Sequence, residues 1–77
     1  MNYKIFIIRD KKLWTIQKVA NAETALSCYK ARIEEIETKT AYYTIGHVYF
    51  ILLYYKNKRI KMKKIDKRSW QIKLNMI

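Results

Sequence analysis

The side chains with chemistry to offer in this sequence are mostly lysines, and they are unevenly placed. Residues 56–77 carry Lys56, Lys58, Arg59, Lys61, Lys63, Lys64, Lys67, Arg68 and Lys73 against Asp66 alone. Residues 21–55 hold three cations and four glutamates, and residues 1–20 hold five cations and Asp10. Cations at this density bind polyanions: nucleic acid first, then an acidic protein surface or anionic lipid. The formal net charge is +11 and the pI is near 9.9. Abundant Lys, Ile and Tyr with one Gly and no Pro is also what A/T-rich coding produces. Codon usage explains part of the lysine count but not its clustering.

Catalysis has few candidate groups. His47 is the only histidine and Cys28 the only cysteine. A general base needs a nucleophile or carboxylate within reach, and none has a suggestive spacing to His47. The clustered acids of a nuclease-type metal site are also missing. A single cysteine forms no disulfide within one chain, and with only His47 beside it makes no cysteine-based zinc site. Cys28 reads as a reduced residue on the flank of a helix. The sequence therefore predicts no catalytic residue, no metal, no cofactor and a cytoplasmic location. The apolar run over 41–55 falls short of the roughly 18–20 residues of a membrane span. Ile5 to Ile8 is too short for the apolar region of a secretory signal.

The lysines need a scaffold, and 77 residues leave room for one domain, covering 1–77. Met1 to Asp10 and Leu13 to Val19 read as strands joined at a polar break, hence a hairpin. Asn21 is a good N-cap for a helix that runs to about Thr38, with Glu23 in its first turn. Ala22, Ala25, Leu26, Tyr29, Ile33 and Ile36 recur at the helical period on one face. Glu35 and Lys39 are spaced as an i,i+4 pair. Gly46 marks a bend. Strands follow at Val48–Tyr55, Arg59–Ile65 and Trp70–Met76. The expected fold is α+β: a small antiparallel sheet in the order β-β-α-β-β-β along the chain, with one amphipathic helix packed on one face.

Register connects this scaffold to function. A three-residue turn at 56–58 sets Leu53 opposite Lys61, Ile51 opposite Lys63, Tyr49 opposite Ile65 and Leu52 opposite Met62. Apolar content then places Phe50, Leu52, Tyr54, Ile60, Met62, Trp70, Ile72 and Leu74 under the helix. The other face would show Tyr49, Ile51, Leu53 and Tyr55 beside Arg59, Lys61, Lys63 and Lys73. Lysines with interleaved aromatic rings suit a nucleic-acid backbone and its bases. The exposed Tyr49, Ile51 and Leu53 strip equally resembles a subunit interface, and so short a chain gains from dimerisation.

The sequence thus predicts a small, non-catalytic nucleic-acid-binding protein, homodimeric through Tyr49, Ile51 and Leu53. The expected contacts are Lys56, Lys58, Arg59, Lys61, Lys63, Lys67, Arg68 and Lys73, with Tyr49 and Tyr55. The alternative is a small interaction or inhibitor protein of the kind viruses and mobile elements encode, binding an acidic surface of a host protein.

Overall fold

Two tight turns set the sheet. Asp10 and Lys11 have φ of 51° and 69°, and Lys56 and Asn57 have φ of 47° and 67°. Two consecutive left-handed residues give the two-residue hairpin loop whose twist matches that of the flanking strands. Asp and Asn tolerate this region better than most residues, so the lysine in each pair bears more of the strain. The computed structural model describes residues 2–38 and 46–68. Within them, β1 (Tyr3–Arg9), β2 (Lys12–Val19), α1 (Ala22–Thr38), β3 (Val48–Tyr55) and β4 (Lys58–Asp66) follow in chain order. The four strands form one open antiparallel sheet in the order β2-β1-β3-β4, and the helix packs on one face. This is the small α+β fold the sequence predicts. The expected strand Trp70–Met76, with Lys73, and the Lys39 partner of Glu35 lie outside the described residues.

The helix begins as its cap dictates. The Asn21 Oδ1 accepts from the Thr24 backbone N–H at 2.8 Å, and Glu23 occupies the first turn. Ala25, Tyr29 and Ile36 are buried, and Leu26, Cys28 and Ile33 pack against the same core. Arg32 reaches Glu35 at 3.1 Å along the exposed side of the helix.

The β3–β4 register holds as expected for five pairs, from Tyr49↔Ile65 to Leu53↔Lys61. It then shifts. With only Lys56 and Asn57 in the loop, Tyr54 pairs with Arg59, Tyr55 pairs with Lys58, and Ile60 is left as the extra residue of a bulge.

The face assignment is reversed. Ile5 and Ile7 of β1 pair with Leu53 and Ile51 of β3, and these four side chains lie under the helix with Val19, Tyr49 and Ile65. Tyr49 and Ile51 are 0% exposed and Leu53 is 2% exposed. They are the core, not an exposed strip, so neither a dimer interface at Tyr49, Ile51 and Leu53 nor nucleic-acid contact by Tyr49 is available. Burying Ile51 or Leu53 is worth about 1.5–3 kcal/mol. Ile60 and Met62, expected in the core, are 49% exposed.

The physical reason lies in β4. It is an edge strand, so Lys61 and Lys63 can share the helix side yet run past the helix to water. Ile60 and Met62 were therefore poor witnesses to the buried face, and the inner pair β1–β3 decides it. The β2–α1–β3 crossover adds a constraint that hydrophobicity cannot supply, because connections between parallel strands strongly prefer one hand.

Candidate nucleic-acid interface

Antiparallel pairing brings lysines from distant parts of the chain to one end and one edge of the sheet. Along β4, Lys58, Arg59, Lys61, Lys63 and Lys64 are all exposed, as is Lys56 in the turn. Lys58, Lys61 and Lys63 share the helix side, opposite Tyr55, Leu53 and Ile51; Arg59 and Lys64 lie on the open side, opposite Tyr54 and Phe50. Few acids answer this row. Glu37 comes within 3.9 Å of Lys63 with both groups about half exposed, a pairing worth little in water. Tyr55 is half-buried, with its ring 4.6 Å from Tyr3 and the Lys56 ammonium 5.3 Å from its centroid.

Two expected contacts have other work. Lys67 is 1% exposed, and its Nζ donates to the Ile36 carbonyl at 2.5 Å. It answers one of the carbonyls a helix end leaves unpaired. Burial lowers the pKa of its ammonium while Glu37 opposes that shift. Lys67 is a structural residue, not a turn cation free to bind a ligand. Arg68 is exposed but bound to Asp66, its Nη2 2.6 Å from Oδ2 and its Nε 3.0 Å from Oδ1. Those bonds hold the Asp66 carboxyl down to a pKa of about 2.

Sequence reasoning missed the open face. Phe6, Ile8, Phe50 and Tyr54 are half-buried there, Leu52 is buried among them, and Ile16 and Met62 are exposed at 46% and 49%. Phe6 and Tyr54 meet edge to face with centroids 5.1 Å apart. A shallow depression of about 240 Å³ is lined by Phe6, Ile8, Leu52 and Tyr54. Beside it, one of about 380 Å³ is lined by Asp10, Lys11, Val48, Phe50, Lys64 and Arg68. The alternation of Lys4, Phe6 and Ile8 was the available signal, but only β1–β3 pairing tells which side it takes.

His47 has a carboxylate after all, though one 37 residues away. Its Nδ1 lies 2.5 Å from Asp10 Oδ2, and Asp10 Oδ1 accepts from the Val48 N–H at 3.1 Å. The backbone bond first, then His47, lowers the pKa of Asp10. The pair pins the β1–β2 turn to the start of β3. Next to it Trp14, the extra residue of a bulge opposite Ile7 and Ile8, lays its ring 5.7 Å from Tyr49 and beneath the Arg9 guanidinium at 4.8 Å. Trp14 is 42% exposed, a rim residue. Gly46, at φ 87°, makes the bend before His47, where any other residue would be strained. Among the described residues no group of three or more His, Cys, Asp or Glu is placed to hold a metal ion, and no helix is long and apolar enough to cross a membrane.

Comparison with models of known protein families finds no match, and neither do comparisons with curated proteins and with solved structures.

Proposed function

We propose that this is a small, non-catalytic nucleic-acid-binding protein that holds phosphate through its lysine-rich C-terminal hairpin. The supporting observation is the edge strand β4, where Lys58, Arg59, Lys61, Lys63 and Lys64 are exposed in one run beside Lys56. Such a row is costly to a free protein through self-repulsion. Phosphates spaced along a strand relieve it, and each neutralised phosphate releases condensed counterions. The binding set differs from the expected one: Lys56, Lys58, Arg59, Lys61, Lys63 and Tyr55 remain, Lys67, Arg68 and Tyr49 drop out, Lys64 joins, and Lys73 lies outside the described residues.

Affinity should be mostly electrostatic. With labelled oligonucleotides, log K should fall linearly against log salt, with a slope near −0.9 per phosphate contacted on duplex and about −0.7 on single strands. Lys61→Glu with Lys63→Glu should remove most of the binding. Salt-independent affinity, or a double variant that binds like wild type, would exclude this role for the hairpin.

A further inference from the structure

Across the open face the register sets residues in rows. Lys18, Lys4, Tyr54 and Arg59 are neighbours across β2, β1, β3 and β4. Ile16, Phe6, Leu52 and Met62 form the next row, then Ile8, Phe50 and Lys64. The centre is thus aromatic and apolar, and both ends are cationic. Lys4 stands directly opposite Lys18, a like-charge pairing that destabilises a sheet. At the far end the Lys64 ammonium lies 5.9 Å from the Phe50 ring centroid, next to Lys11 and Arg68 around the larger depression. The acids at that end are engaged: Asp10 by Val48 and His47, Asp66 by Arg68.

That charge pattern selects the occupant. A second copy would bring another +11 chain with the same cationic rows against this face. A lipid surface supplies anions and would take the exposed Ile16 and Met62, but it has no use for the half-buried rings of Phe6, Phe50 and Tyr54 set between the cationic rows. A polyanion carrying flat, unpaired rings matches both the centre and the ends. Phe50 and Tyr54 lie four residues apart on one strand, about 13 Å, with Phe6 between them on the neighbouring strand.

We infer that this face is a platform for single-stranded nucleic acid, with unpaired bases stacked on Phe6, Phe50 and Tyr54 and phosphates held by Lys4, Lys18 and Lys64. The inference rests on the nucleic-acid reading above and narrows it. A duplex hides its base faces, so only a single strand can use the rings.

The experiment compares labelled oligo-dT, oligo-rU, a duplex of equal length and phosphatidylserine vesicles at one salt concentration. Single strands should bind about tenfold or more tightly than duplex. Phe6→Ala with Tyr54→Ala should cost single-strand affinity about tenfold or more and leave duplex affinity unchanged. Photocrosslinking of a 4-thiouridine oligonucleotide to the wild-type protein needs no variant to fold, and should label the peptides carrying Phe6 or Phe50 to Tyr54. Equal affinity for duplex and single strand, with crosslinks confined to β4, overturns the platform and leaves the hairpin reading standing. No binding to any oligonucleotide at low salt overturns both. Binding to vesicles alone, or a dimer that Phe6→Ala dissolves, gives the face a different occupant and overturns the inference.

Discussion

The Nζ of Lys67 donates to the carbonyl oxygen of Ile36 at 2.5 Å, tying the segment after β4 to the C-terminal end of the helix. The same segment is stitched through its backbone to the residues just before β3, with Lys67 N–H donating to the His47 carbonyl at 2.9 Å and Gly46 N–H to the Lys67 carbonyl at 3.0 Å. In a chain with 17 Lys and Arg, this buried lysine does a different job from its exposed neighbours.

Lys67→Ala should therefore destabilise the fold by about 1–3 kcal/mol, since it leaves a buried carbonyl without its donor. Lys58→Ala and Lys61→Ala should stay within about 0.5 kcal/mol of wild type. Urea unfolding followed by circular dichroism separates the two classes. A neutral Lys67→Ala would remove its structural assignment.

The reversal of the two sheet faces is also a stability statement. Ile51→Ala should cost about 2–5 kcal/mol, as a full truncation in a packed core does. Ile16→Ala and Met62→Ala, on the open face, should cost well under half as much. The same unfolding assay decides between them, and the opposite ranking would restore the face assignment read from β3 and β4 alone.

Among the described residues, Asp10 and Asp66 should contribute to acid sensitivity. Asp10 and Asp66 both have folded pKa values below the ordinary 3.8, Asp66 at about 2. A depressed carboxylate contributes stability that is fully present above its unfolded value and lost as pH falls through its folded value. Stability should thus fall between roughly pH 4 and pH 2. Asp10→Asn with Asp66→Asn should flatten that limb. Carbonyl-carbon NMR titration should place both midpoints below 3.8, and a normal midpoint for Asp10 would mean its bonds to Val48 and His47 are not made in solution.

Turn chemistry offers a stabilising change. Asn57 sits at φ 67°, so Asn57→Gly should relieve strain at no steric cost and stabilise by up to about 1 kcal/mol. Lys11→Gly, at φ 69°, should act in the same direction. A loss of stability at both sites would argue against the left-handed turns.

Much of the scaffold was legible in the sequence, for local reasons. Asn21 caps, Glu23 follows, and the strands alternate between turn residues, so element boundaries emerged from nearest-neighbour chemistry. Five β3–β4 pairs were legible too, because a short loop leaves few registers. The buried face was not. Phe50, Leu52 and Tyr54 are as apolar as Tyr49, Ile51 and Leu53, so β3 alone cannot choose, and the choice belongs to β1, more than 40 residues earlier. Lys67 beneath the helix end and Asp10 beside His47 are likewise products of tertiary placement. No local pattern distinguishes Lys67 from Lys64.

The proposed binding of nucleic acid by the basic edge and the open face of this sheet can be read residue by residue in an NMR titration of the ¹⁵N-labelled protein with a short single-stranded oligonucleotide. Perturbed amides should cluster on Lys4, Phe6, Phe50, Tyr54 and the β4 residues Arg59 to Lys64, and should revert on addition of salt. Unperturbed spectra at low salt, or shifts confined to the exposed face of α1 away from the sheet, would contradict it.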